Sequence, residues 1–218
     1  ELSAVPSEID RELVNPLVKC LNRKQSSIKD ILASQAGIET DDGFASLNTA
    51  FFSDGAFVNI PSHVQVKTPI NLVFLTGTTS KPNSEPTASY PRVLVHAASG
   101  SKATLIESYV NLGTQKSFVN TVAEILIDEG AEINHCRIMI ESPKGFHIGT
   151  TRVRMNRDSV FNSLSFAYGS QIGRNDLHVM MDERGAQCDL NGLYMTNGKS
   201  HLDNHINVTH DARDTTSR

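Results

Sequence analysis

The chain has 218 residues, 39% hydrophobic and 6% aromatic, with no tryptophan and a formal net charge of −4. That is enough to bury a sizeable core in one or two domains. The two signs of charge are interspersed, which marks no nucleic-acid surface, and no apolar run approaches the roughly 20 residues that cross a bilayer.

Three cysteines, Cys20, Cys136 and Cys188, are odd in number and form no CxxC pair. They point to free thiols in a reducing compartment. Glu1 opens inside polar sequence rather than in a signal peptide, so Asn207-Val208-Thr209 reads as a chance sequon.

The first 53 residues are expected to be a helical segment, and residues 54–218 a β core. Ser7 to Asp10 resembles a capping box. Asn15 and Pro16 have the order of an N-cap and a first helical position, leading into Leu17, Val18 and Leu21. Ser26 or Ser27 would cap a second helix carrying Ile28, Ile31 and Leu32, with Gly37 as its stop. Residues 42–52 make a third, ending before Gly55. Helices this short need a surface to pack on, and they are expected to cover one end of the β core. Residues 56–74 alternate Phe57 against Asn59, then place Val64, Val66, Ile70, Leu72 and Phe74, as an opening coil. Residues 76–91, rich in Gly, Pro, Ser and Thr, read as a loop with no fixed structure.

From Arg92 to Val208 the chain repeats itself. Apolar pairs recur at Val93/Val95, Ile125/Ile127, Val153/Met155, Val179/Met181 and Ile206/Val208. Their second members, at 95, 127, 155, 181 and 208, are 32, 28, 26 and 27 residues apart. A second set lies between them: Ser108/Val110, Ile138/Ile140, Phe166/Tyr168 and Leu193/Met195. Alternation with period 2 marks strands with one buried face, and both sets are read as buried. Turns at Ser99-Gly100, Glu129-Gly130, Arg157-Asp158 and Arg184-Gly185 separate them, with Gly supplying positive φ. A repeat in the high twenties without a helical pattern is too short for βαβ units and predicts a parallel β-solenoid. Three residues before each second apolar member stand Arg92, Glu124, Arg152, His178 and His205. They are expected to stack as one outward, solvated column, with strands ~4.8 Å apart and exposed pairs worth roughly 0.2–1 kcal/mol.

Chemistry-bearing motifs are few. No GxxxxGK[ST], GxSxG or HExxH occurs. The densest constellation is residues 191–211, where His201, His205 and His210, with Asp203 and Asp211, are the candidate metal ligands. On a strand His201, Asp203 and His205 share a face about 7 Å apart, wide for a compact tetrahedral site, so no metal site is assigned. Cys136 precedes Ile138 by two and is expected to point inward. Cys188 aligns with Ala103, Ile133 and Phe161 as plain core. A persulfide or cluster-ligand role would need a thiolate with access.

The stretches FASLNTAFFSDGAFVNIP, PRVLVHAASGSKATLIESY, TRVRMNRDSVFNSLSFAYGSQIGRNDLHV and CDLNGLYMTNGKSHLDNHINVTH resemble the SufB/SufD family of iron–sulfur cluster assembly proteins. SLNTAFFSDG looks like the SufD branch. The resemblance covers residues 44–218 well. It implies a right-handed parallel β-helix and a non-catalytic scaffold subunit of a SufB–SufC–SufD complex, paired with SufB and with the ATPase SufC. It also implies an iron–sulfur cluster held transiently by the complex and no cofactor resident in this stretch. The location would be the cytoplasm, or a plastid or organelle stroma in a eukaryote. Family members continue past Arg218, so the residues of SufC docking and cluster assembly are expected beyond it, with self-association through the last rung as a consequence. A β-helix ligand-binding module, or an enzyme acting on polysaccharide, is the alternative from the residues alone; such enzymes cluster carboxylates or basic residues on one face.

Overall fold

Alternating apolar residues with β-branched character extend the described residues into fourteen strands, which a computed structural model coils into a parallel β-solenoid. The structure describes residues 13–22, 28, 31–32, 42–77 and 86–218. The caps expected at Ser7 and at Ser26 or Ser27, the stop at Gly37 and residues 78–85 of the long loop lie outside these.

One sheet runs β1 (Val14–Pro16), β2 (Gly55–Ile60), β5 (Arg92–Ala97), β7 (Ser117–Ile127), β9 (Gly145–Met155), β11 (Ile172–Met181) and β13 (His201–His210), with β4 (Thr87–Ser89) also on β7. The other runs β3 (Ile70–Thr76), β6 (Lys102–Asn111), β8 (Glu132–Ile140), β10 (Val160–Tyr168), β12 (Gln187–Met195) and β14 (Thr216–Ser217). All pairings between successive coils are parallel; β1 alone pairs antiparallel, Val14 against Val58. It thereby occupies the outer edge of β2, which would otherwise offer unpaired backbone groups.

Pro16 therefore ends a strand, and helix α1 (Leu17–Asn22) begins one residue later than the Asn15–Pro16 cap predicts. Helix α2 (Gly43–Phe51) falls where expected, capped by Asp42, whose carboxylate accepts from the Phe44 and Ala45 amides. Its position differs from the sequence expectation. It lies across the outer face of β7 and β9 rather than over an end of the coil. The end of the long loop is a strand: β7 is longer than β5, which pairs only with Val122–Ile127, and β4 takes up Ser117–Val119.

The hydrophobic lumen is filled by Val95, Ile125, Val153 and Val179 and by Ile127, Met155 and Met181 from the first sheet. Leu105, Ile133, Phe161 and Cys188 face them from the second. The row Ala103–Ile133–Phe161–Cys188 is in register as read from sequence. Two ends of the first-sheet row are shifted by two residues: Val95 pairs with Ile125, and Val208 with Val179. Ala97 and His210 hold the places beside Ile127 and Met181. Neither looks like a member of an apolar row, which is why matching hydrophobes alone slips the register.

The second apolar set faces the other way from its expectation. Ser108/Val110, Ile138/Ile140, Phe166/Tyr168 and Leu193/Met195 lie on the outer face, and several are exposed. Their neighbours Glu107, Tyr109, His135, Arg137, Met139, Ser163 and Ala167 point into the lumen. The lumen is polar at mid-strand, so polarity and burial run out of phase there.

The turns between the sheets share one backbone state. His63, Gly100, Gly130, Asp158, Gly185 and Asp214 have φ of 62°, 66°, 64°, 54°, 77° and 59°. Asp tolerates this left-handed region better than most residues. The turn amides donate up the stack, Gly100 to Glu129, Gly130 to Arg157 and Asp158 to Arg184.

Candidate functional site

Two places concentrate ionisable groups. The first is the middle of the lumen. His135 on β8 reaches Glu107 Oε1 on β6 with Nε2 at 3.1 Å, and Ser163 Oγ on β10 with Nδ1 at 3.4 Å. The Tyr109 hydroxyl donates to Glu107 Oε2 at 2.7 Å. Arg137 donates to Thr121 at 2.8 Å, Thr151 at 3.1 Å and His147 Nε2 at 3.0 Å. Its guanidinium lies 4.9 Å from the centre of the Tyr109 ring, a cation–π distance. His147 Nδ1 meets Glu141 Oε1 at 2.9 Å. Gly149 makes this possible: a Cβ there would stand 1.8 Å from Arg137 Nη2.

Burial alone would raise the Glu107 carboxyl, but the hydrogen bond and charge of His135, together with Arg137 and Tyr109, outweigh it and hold the group below its ordinary range. Burial lowers His147 despite Glu141, and Arg137 adds to the effect. The neutral ring with its proton on Nδ1 fits both neighbours, donating to Glu141 and accepting from Arg137. Burial and the adjacent Glu107 carboxylate push the Tyr109 hydroxyl well up, so it stays a donor. A cavity of about 220 Å³ opens beside this network, walled by His135, Arg137, Ser163, Asn175, Asn191 and Asn204. The Glu107–His135–Ser163 order has the connectivity of a proton relay. What the geometry accomplishes is satisfaction of three buried polar groups in a region where leaving one unpaired costs ~1–3 kcal/mol.

The second place is the outer face of the first sheet under α2. The column expected to be solvated is buried at its start: Arg92 and Glu124 are both 0% exposed, and their side chains meet at 2.6 Å. They do so diagonally, since Arg92 is in register with Val122. Arg92 also donates to Asn48 Oδ1 and Thr49 Oγ1 of α2, and Asn48 Nδ2 donates to the Pro91 and Asn120 carbonyls. The helix covers these charges, and that is why an exposed-pair energy does not apply to them. Further along, Asp42, Phe44 and Leu47 of this segment overhang Arg152, Arg174, Asp176, His178 and His205 as a groove. Arg174 grips Asp176 with two bonds, 2.8 and 2.9 Å, and His205 Nδ1 lies 3.3 Å from Asp176 Oδ1.

The sequence candidates separate accordingly. His201 and Asp203 share an outward face with His205, but Asp203 faces Arg174 at 3.6 Å. His210 turns to Thr215 and Ser217. The group the structure brings together is Asp176, His178 and His205, whose ligand atoms all lie within 4.8 Å of one another. The column alignment already set His178 beside His205; Asp176, two residues earlier on the same face, was the missing member. Cys188 is core, and burial with nearby Asp189 pushes its thiol up to about 11. Cys136 is on the outer face and half-buried, not inward as expected, and partial burial raises its thiol. Neither favours the thiolate. The lumenal Glu107, His135, Arg137 and His147 escaped sequence reasoning because charged residues on an alternating strand look solvated.

These features define a parallel β-solenoid whose lumen is wired with charge as well as packed with hydrocarbon. The chain belongs to the SufBD family: residues 78–218 match the family model "SUF system FeS cluster assembly, SufBD core domain", and residues 6–72 match "SufBD protein N-terminal region". An iron–sulfur cluster assembly SufBD family protein of Synechocystis is 30% identical over 190 residues, 83% of this chain and 41% of that protein. The chloroplastic protein ABCI7 of Arabidopsis thaliana is 25% identical over 85% of this chain and 40% of its own length. From Bacillus subtilis, SufD is 27% identical over 52% of this chain and 25% of its own length, and SufB is 23% identical over 82% and 37%. The chain thus spans about two-fifths of the length of the first two relatives.

Proposed function

We propose that this chain is part of a SufD-type scaffold subunit of a SufB–SufC–SufD complex that assembles iron–sulfur clusters. The subunit is not itself an enzyme. It pairs with SufB and with the ATPase SufC, and the cluster passes through the complex as cargo. The observation carrying this reading is that both SufBD family regions run through the chain in order. SLNTAFFSDG supports the SufD branch, and the sequence holds no P-loop of its own. A contact face is also at hand. The outer side of the second sheet exposes Val73, Leu75, Ile140, Tyr168, Leu193 and Met195, contiguous in register. Contiguous apolar surface of this kind marks protein contacts.

The test is co-purification of the tagged full-length protein from its own cells. SufB and SufC in fixed ratio, with ATP hydrolysis lost when SufC is removed, is the expected result. A full-length protein that purifies without either, while SufB and SufC associate with each other in its absence, would overturn the proposal.

A further inference from the structure

The groove under α2 contains a ligand set that the scaffold role does not use. Asp176 and His178 alternate along β11 and so share its outer face, and His205 is the register partner of Asp176 on β13. Their ligand atoms lie within 4.8 Å of one another, and the two imidazoles meet edge to face with ring centres 5.8 Å apart. A tetrahedral site needs donors about 2.0–2.2 Å from the ion, so the His178 and His205 side chains would have to rotate inward on binding.

The surrounding charges suit a cation. Arg174 holds both oxygens of Asp176, as carboxylates that bind metals are held by a neighbouring donor. Arg152 faces Asp42 at 3.4 Å, and Asp203 stands beyond Arg174 at 3.6 Å. Among the described residues the carboxylates Asp42, Asp176 and Asp203 therefore outnumber the guanidiniums Arg152 and Arg174 around the two rings. Two imidazoles and one carboxylate select a first-row transition ion over magnesium or calcium, and three protein donors leave one position open toward the groove.

We propose that Asp176, His178 and His205 form a binding site for a divalent first-row transition metal ion, joining β11 to β13 on the outer face of the solenoid. The proposal does not depend on the SufD assignment.

The probe is zinc, titrated calorimetrically into metal-stripped full-length protein, with cobalt absorption as a second readout. One equivalent of zinc is expected, with a cobalt d–d spectrum of a mixed nitrogen and oxygen site. His178→Gln and His205→Gln should each abolish both signals. Arg174→Ala should weaken binding about 10–100-fold, and His201→Ala, on the same strand but outside the set, should change nothing. His178 and His205 are not core residues, so the circular dichroism of the Gln variants should match wild type. Absence of a stoichiometric site would overturn the proposal, as would zinc binding that survives both Gln variants or is lost equally in His201→Ala.

Discussion

Replacing Gly149 by alanine tests whether the lumen is organised around Arg137. The added carbon would lie 1.8 Å from Arg137 Nη2, 2.7 Å from its Cζ and 2.9 Å from Thr121 Oγ1. The guanidinium is the far end of a flexible side chain and will move, so the cost is not the overlap but the bonds given up. These are the contacts to Thr121, Thr151 and His147 and the face of Tyr109. Hydrogen bonds to charged groups are worth about 1.5–3 kcal/mol each, and removing the partners of a buried charge costs about 3–5 kcal/mol. Alanine recovers about 0.5–1 kcal/mol of strand preference over glycine. A net loss of about 2–4 kcal/mol follows, measurable as a lower urea midpoint at unchanged m-value. In an Arg137→Met background the same Gly149→Ala change should cost less than about 1 kcal/mol, giving a coupling of about 2 kcal/mol or more. Additive costs in the double variant, or a Gly149→Ala protein within about 0.5 kcal/mol of wild type, would refute the reasoning.

Stability should also fall in acid in two stages. His147 is held below its ordinary pKa when folded, so the unfolded chain takes up its proton first. The stability present above about pH 6.5 is then lost as pH drops toward the folded value. Glu107, also held low, adds a second loss below about 4.5. His147→Gln should flatten the melting temperature between pH 7 and 5, and a slope there equal to that of wild type would count against the assignment. Asn48→Ala removes two donors to the Pro91 and Asn120 carbonyls and an acceptor for Arg92. It should cost about 2–4 kcal/mol and speed hydrogen exchange across Gly43–Phe51. Unchanged protection of that helix would show that other contacts hold it.

The solenoid was legible because its constraints are local and repeated. Gly100, Gly130, Asp158 and Gly185 mark the one backbone state that few residues adopt, and their spacing carries the coil length. The row Ile125, Val153 and Val179 was legible for the same reason. The phase of the second sheet was not, since Ile138, Phe166 and Leu193 are apolar residues on an outer face while Glu107, His135 and Arg137 are charged residues inside. Each of those three also relies on a partner on another strand, 28 residues away for Glu107 with His135 and 14 for Arg137 with Thr151, and nothing in a single strand announces such a partner. Arg92 and Glu124 were paired from sequence, but their burial depends on a helix more than 40 residues distant. Gly149 carried no signal, because its reason is a guanidinium from another strand.

The stacked left-handed turns have a consequence for how the molecule can change in length. Connections 98–101, 128–131 and 156–159 have four residues and each donates an amide to the turn of the next coil; 182–186 has five and still accepts, at Arg184, from Asp158. The extra residue of 182–186 is taken up before Gly185, so the relay holds and Cys188 stays in register with Phe161 in the lumen. At the opposite corner, connections 112–116, 141–144, 169–171 and 196–200 already differ among themselves. One corner therefore keeps its amide relay through a change of one residue and the other varies from three to five residues, so an epitope or a fluorophore-bearing loop belongs at 112–116 or 196–200.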